Sequence, residues 1–109
     1  MNRIYSTEKL QKFKREGQYV FIRLDEKKET SDEMEQYSYL QSKIKLSGNI
    51  KRDIIIESII RAKYPTYGAE LAAMSNGEEE YQEHQSWRQL AKDTADYFID
   101  NFFNISNNL

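Results

Sequence analysis

The sequence predicts an α+β fold in which a two-stranded antiparallel β-hairpin packs with about three α-helices, with a further short helix at the N-terminal end. Two segments, residues 19–24 and 37–46, alternate apolar and polar side chains with the period of two that is typical of a strand. Three later segments place apolar side chains at helical spacing; these are residues 50–64, 68–74 and 78–103.

The short N-terminal helix is predicted over residues 6–16. Ser6 suits its N-cap, and Tyr5 and Leu10 stand at the two positions of a hydrophobic staple. Gly17 suits the position just after a helix, where the backbone often takes a left-handed conformation.

The segment between the two strands, residues 25–36, is almost entirely polar and is predicted to be a mobile loop. The return strand at 37–46 has a competing interpretation as a helix, which would begin with a capping box at Thr30 and Glu33. The stripe of that helix would be formed by Met34, Tyr37, Leu40 and Ile44. The alternation favours the strand.

Local signals bound the later helices. Asn49 suits the N-cap of the helix at 50–64, and Pro65 ends it because proline disfavours a helical residue before it. Ser75 and Glu78 have capping-box spacing at the start of the last helix.

Length and composition exclude several classes of protein. At 109 residues the chain fits one domain, residues 1–109, because single cores typically occupy about 100–150 residues. The absence of cysteine excludes disulfides, thiolate metal sites and cysteine nucleophiles. No run of about 20 apolar residues is present, and the first residues lack the apolar core of a signal peptide. We therefore expect a protein that neither spans a membrane nor is secreted through a signal peptide.

The net charge of −2 is unevenly distributed along the chain. Residues 1–28 hold eight Lys or Arg against four acids, whereas residues 65–109 hold two cations against eight acids, so the two ends carry +4 and −6. This layout would steer head-to-tail association between copies, or a partner with the opposite layout. The alternative is that the two ends complement each other within one fold or are solvated.

No residue set predicts catalysis, a cofactor or a metal. His84 is the only histidine and has no cysteine to join it, so we expect it on the surface of the last helix. The acidic run 78–80 lacks the spacing of a calcium loop and is interpreted as the first turn of that helix. No nucleophile motif accompanies these residues, and an isoelectric point near 5.5 argues against nucleic-acid binding.

Two patches of aromatic or apolar side chains lie outside the main apolar faces, and a domain of this size has a limited interior in which to bury them. The first is the outer face of the hairpin, which carries Tyr19, Phe21, Tyr37 and Tyr39. The second is the end of the last helix, where Ile99 and Phe103 point away from the main apolar face. Large exposed apolar patches mark interaction surfaces, so these six residues are candidate contacts for a protein partner, including a second copy. Burial within the fold is the alternative for both patches.

The order of several short segments carries a family resemblance. These segments are YSYLQSKI at 37–44, a Ser-Gly break at 47–48, IRAKY at 60–64, ELA at 70–72 and EYQEHQSWR at 80–88. Over roughly residues 19–98 the chain resembles small uncharacterised proteins encoded by tailed phages and prophages of gut Bacteroidetes. Genes of this family often lie among those for virion structure and assembly.

The resemblance implies a phage-associated structural or assembly accessory protein that is not an enzyme and acts through protein–protein contacts, as a homo-oligomer or with another protein. It would reside in the cytoplasm of the bacterial host or in the virion. The alternative function is a small cytoplasmic regulator or inhibitor that binds one host protein.

Overall fold

The computed structural model describes residues 3–46 and 50–103, except for three side chains, those of Ser31, Phe102 and Phe103. Within these residues the chain is α+β, with a four-stranded antiparallel sheet followed by three α-helices. This confirms the predicted fold class.

The chain divides into two compact units, Met1–Ser47 with the strands and Gly48–Leu109 with the helices. Both units are small for independent folding, because short chains bury a smaller share of their surface. The single domain that the chain length indicated stays a prediction.

The sheet contains four strands in the order β1-β4-β3-β2. Their bounds are β1 Arg3–Ser6, β2 Phe13–Glu16, β3 Tyr19–Ser31 and β4 Met34–Lys45. The two predicted strands do pair as an antiparallel hairpin, β3 with β4, but both are longer than predicted. The prediction of only two strands is wrong, because β1 adds to the edge of β4 and β2 to the edge of β3.

The helix predicted over residues 6–16 is also wrong, since this segment contributes to β1 and β2. The Ser6 hydroxyl does accept a hydrogen bond from the Glu8 N–H at 3.1 Å, as an N-cap would. This bond closes a single turn, and no helix follows it within residues 6–16. Gly17, with φ of 61°, lies in the two-residue turn between β2 and β3, where a glycine is favoured at the first position. Pairing with β3 overrides a local helix preference worth only tenths of a kcal/mol per residue.

The polar segment 25–36, predicted as a mobile loop, forms the outer half of the β3–β4 hairpin. The ladder continues to the pair Ser31 and Met34 and closes on a two-residue turn. Asp32 and Glu33 in that turn have φ of 50° and 67°, the two left-handed residues of a type I′ turn. The described side chains of this ribbon are exposed, so no apolar alternation marks it as a strand.

A β-bulge interrupts the β3–β4 ladder between Leu24 and Lys27. Asp25 lies in this bulge with φ of 53°, a conformation that aspartate tolerates better than most residues. The Arg3 guanidinium of β1 donates to the Asp25 carboxylate at 2.9 Å, to the Asp25 carbonyl, and to the Ser38 carbonyl at 3.0 Å. The planar fork of one arginine thus ties the edge strand to the bulge.

One face of the sheet is buried. Its apolar members are Val20, Ile22, Leu24, Leu40 and Ile44, and they are accompanied by Ser38 and Ser42. These side chains alternate along β3 and β4, which agrees with the alternation read from the sequence. Burying each large aliphatic side chain contributes roughly 1.5–3 kcal/mol.

Three helices follow, α1 Arg52–Lys63, α2 Tyr67–Ser75 and α3 Glu78–Phe98. Their positions agree with the predicted segments, except that α3 ends at Phe98 and a π-helical turn continues over Ile99–Phe103. Thr66 caps α2 by accepting a hydrogen bond from the Ala69 N–H at 3.0 Å. The predicted cap of α1, Asn49, lies outside the described residues, and the structure places Gly77, not Ser75, at the N-cap of α3.

The helical unit is built on α3, against which α1 and α2 both pack. The buried side of α3 carries Trp87, Ala91, Ala95 and Phe98, and α1 contributes Ile55, Ile59 and Ile60. The Trp87 indole N–H donates to the Ile59 carbonyl at 3.0 Å, so the largest side chain of the unit satisfies its one polar group.

Candidate docking groove in the helical unit

Three of the predicted contact residues on the sheet, Tyr19, Phe21 and Tyr37, are half-buried. The Lys43 ammonium lies 4.1 Å from the ring centroid of Tyr19 and 5.7 Å from that of Phe21. The Lys28 ammonium lies 5.9 Å from the ring of Tyr37. Lysines of the sheet therefore cover part of each aromatic face, and cation–π attraction holds them there.

Tyr39, the fourth of these residues, is 2% exposed. Its hydroxyl donates to the Glu26 carboxylate at 2.8 Å and accepts from the Leu10 N–H at 2.9 Å. The connection between β1 and β2 thus supplies a hydrogen bond to this ring's hydroxyl. Tyr39 itself offers no exposed surface to a partner.

The second predicted patch lies at the end of α3. Ile99 is half-buried at the start of the π-helical turn. The backbone of Phe103 belongs to the same turn, and its side chain lies outside the described residues. The first predicted patch lies in the unit with the strands, and the second lies in the unit with the helices.

A groove that no pattern in the sequence indicated lies among the three helices, with a volume of about 590 Å³. It is lined by Arg52, Asp53, Ile56, Glu57, Ile60 and Arg61 of α1, by Tyr67, Glu70, Leu71 and Met74 of α2, and by Arg88 and Lys92 of α3. Tyr67 is 65% exposed and Leu71 is 43% exposed, so the rim at α2 is open to solvent and apolar.

A buried polar chain positions α2 beside the groove. His84 of α3 is 1% exposed, and its Nε2 atom lies 2.7 Å from Oε2 of Glu70 on α2. The other carboxylate oxygen of Glu70 accepts from Arg61 of α1 at 3.1 Å, and Arg61 also pairs with Glu57 at 2.9 Å. Gln85 lies 3.1 Å from the second ring nitrogen of His84. One carboxylate therefore links all three helices.

The burial of His84 in this polar network shows that the expected position on the helix surface is wrong. Its ring packs 5.4 Å from the ring of Tyr64, and burial keeps both its nitrogens away from solvent. His84 is not among the residues that line the groove, and its two ring nitrogens face Glu70 and Gln85. We assign it to positioning the helices.

The charge state of Glu70 follows from these contacts. Burial raises the pKa of its carboxyl, but hydrogen bonds from His84 and Arg61 outweigh that effect, so its pKa is lowered from the ordinary value. Glu70 is therefore ionised at neutral pH, and its charge stays within the network.

The cations of the groove divide into two sets. Arg52 pairs with Asp96 at 2.7 Å, and Arg61 pairs with Glu57 and Glu70. Arg88 and Lys92 on the α3 wall form no ion pair with any residue that the structure describes. These two side chains carry positive charge that is available to a ligand.

A sequence signal for these two cations existed. Arg88 and Lys92 are the only Lys or Arg in residues 65–109, and they stand one helical turn apart in an otherwise acidic stretch. Glu70 had no such signal, because it lies 14 positions from His84 and on another helix.

The described residues contain no cluster of three or more His, Cys, Asp or Glu side chains that could hold a metal ion. None of the helices in the described part of the chain combines the length and apolar character needed to cross a bilayer. Comparison of the chain with models of known families, with curated proteins and with solved structures finds no match.

Proposed function

We propose that this protein acts without catalysis, through protein–protein contacts made at the groove of the helical unit. The observation that carries the proposal is the combination of an open apolar rim, Tyr67 and Leu71, with two cations, Arg88 and Lys92, that form no ion pair with a described residue. Apolar area supplies binding free energy, and charges beside it select the partner.

The biological setting of the proposal comes from the resemblance over residues 19–98. It favours a phage-associated structural or assembly accessory protein in the host cytoplasm or the virion, with another protein or a second copy as partner. The size of the groove also fits the alternative, a regulator or inhibitor of one host protein, because about 590 Å³ holds a few side chains of a single partner.

The test compares two arginine substitutions in the full-length chain. Leu71→Arg places a charge in the apolar rim, whereas Tyr81→Arg changes a similarly exposed residue of α3 that does not line the groove. Both variants are checked for native circular dichroism. The tagged chain is then cross-linked in the bacterium that encodes it, during phage production, and its partners are identified by mass spectrometry.

We expect Leu71→Arg to lose a partner that Tyr81→Arg and the parent chain retain. A virion or assembly protein among the lost partners supports the structural role, and one host protein supports the alternative. Equal capture by all three chains would contradict docking at the groove. Light scattering of the purified chain measures its mass in solution and so shows whether the lost partner is a second copy.

A further inference from the structure

We infer that the groove receives one amphipathic helix of a partner protein, which presents two carboxylates one turn apart to the α3 wall; this inference rests on the proposed function. Arg88 and Lys92 are four residues apart on α3, which places them about 6 Å apart along the helix axis. Carboxylates at i and i+4 of a partner helix have the same spacing.

The two walls of the groove carry opposite unpaired charge. Asp53 lines the α1 wall and, like Arg88 and Lys92, forms no ion pair with a described residue. A uniformly acidic partner would therefore be repelled on one side. A helix with acids toward α3 and a basic residue toward α1 matches both walls, and such complementarity fixes orientation.

The apolar part of the lining is adaptable. Ile56, Leu71 and Met74 supply aliphatic surface, and the methionine can adjust to the shape of an inserted side chain. A helix is about 10–12 Å across, so only its side chains can enter. The open rim distinguishes the groove from the enclosed pockets that bury most of a small molecule.

The experiment uses the full-length chain against a displayed library of helical peptides of about 15 residues. The library carries apolar residues at i, i+3, i+4 and i+7, and each flanking position is randomised among Glu, Lys and Ser. Selection is repeated with Arg88→Glu/Lys92→Glu and with Lys51→Glu, a charge reversal in the same unit outside the groove.

We expect the parent chain and Lys51→Glu to enrich peptides with glutamate at two positions one turn apart. The double reversal should enrich lysine there instead, and should weaken the best acidic peptide at least about tenfold. Enrichment by the parent chain of lysine at both of these positions one turn apart, or the same peptides from all three proteins, would overturn the inference.

The two proposals fail differently. In one outcome, peptides bind the parent chain, fail to bind Leu71→Arg and bind the double reversal unchanged. That result supports groove docking and refutes only the acidic helix. The acidic partner helix is refuted if no peptide depends on Leu71, or if light scattering shows a dimer that Leu71→Arg abolishes. Groove docking is also refuted if no peptide depends on Leu71 and all three chains capture the same partners in the cross-linking test.

Discussion

The Nε2 atom of His84 lies 2.7 Å from Oε2 of Glu70, and this pair joins the long helix α3 to α2, which carries the apolar rim of the groove. Arg61 occupies the other oxygen of the same carboxylate at 3.1 Å. A short helix such as α2 has little stability of its own, since isolated helices of fewer than about 12–15 residues are marginal in water. The geometry of the groove therefore depends on one buried carboxylate.

Replacing Glu70 by alanine should lower the free energy of unfolding by about 3 kcal/mol, because it leaves buried His84 and Arg61 without their shared acceptor. The matched change Glu57→Ala removes an exposed partner of the same arginine and should cost about 0.5 kcal/mol or less. Urea unfolding followed by the fluorescence of Trp87 measures both values. An equal loss of unfolding free energy in the two variants would refute the conclusion that Glu70 stabilises the fold as the shared acceptor of His84 and Arg61.

Stability should depend on pH through Glu70. Its pKa in the folded chain is lowered, whereas in the unfolded chain it is about 4.3. A carboxyl of this kind contributes stability that is complete above the unfolded pKa and is lost as the pH falls toward the folded pKa. We expect the unfolding free energy to fall below about pH 4.3, and to fall less in Glu70→Gln.

Asp96 is the control for this titration, because its exposed carboxyl also has a lowered pKa, owing to the hydrogen bond from Arg52. Asp96→Asn should leave most of the acid dependence in place. Urea midpoints at several pH values between neutrality and about pH 3 measure the dependence. An unchanged slope in Glu70→Gln would contradict the prediction.

The turn of the β3–β4 hairpin should tolerate glycine better than its own residue. Glu33 has φ of 67°, a conformation that costs a residue with a Cβ atom roughly 1 kcal/mol. Glu33→Gly should therefore raise the unfolding free energy by up to about 1 kcal/mol. Gln36→Gly, within β4, should lower it by about 0.5–1 kcal/mol. Thermal or urea unfolding distinguishes the two, and a loss of stability in Glu33→Gly would refute the turn assignment.

Two threonine-to-valine changes should have opposite effects. The buried hydroxyl of Thr94 has no hydrogen-bond partner among the described residues, so Thr94→Val should raise the unfolding free energy by about 1 kcal/mol. Thr66 caps α2, so Thr66→Val should lower it by about 1 kcal/mol. Urea unfolding measures both, and a destabilised Thr94→Val would show that its hydroxyl has a partner in solution.

The two compact units should unfold together, as the chain length predicts for one domain. Chains below about 70–80 residues rarely supply enough core to be stable alone. We expect the slowest amides of β3 and of α3 to show the same free energy of opening in hydrogen exchange with increasing urea. Two distinct plateaus, one for each unit, would establish independent domains.

Local periodicity was enough for part of the fold. The alternation of Val20, Ile22 and Leu24 identified β3, and the helical spacing of Ile55 and Ile59 identified α1. These patterns can be read because each element buries one face, and burial imposes the period of the backbone on the sequence. The outer half of the hairpin could not be predicted for the same reason. Both of its faces are exposed, so its sequence does not alternate between apolar and polar residues.

The candidate site could be predicted only in fragments. The isolated pair Arg88 and Lys92 was visible in the sequence, but nothing there indicated that Leu71 would stand beside it. The partner of His84 was equally hidden, because helix periodicity relates residues three or four apart and says nothing about another helix.

The sequence by itself determined the α+β class, the central hairpin, the three helices and the exclusion of cysteine chemistry, because these depend on composition and on near neighbours. The tertiary structure alone decided that Phe13–Glu16 is a strand and that Glu70 meets His84. Both outcomes depend on long-range pairing, in which hydrogen bonds gained with a distant segment outweigh local preferences of tenths of a kcal/mol per residue.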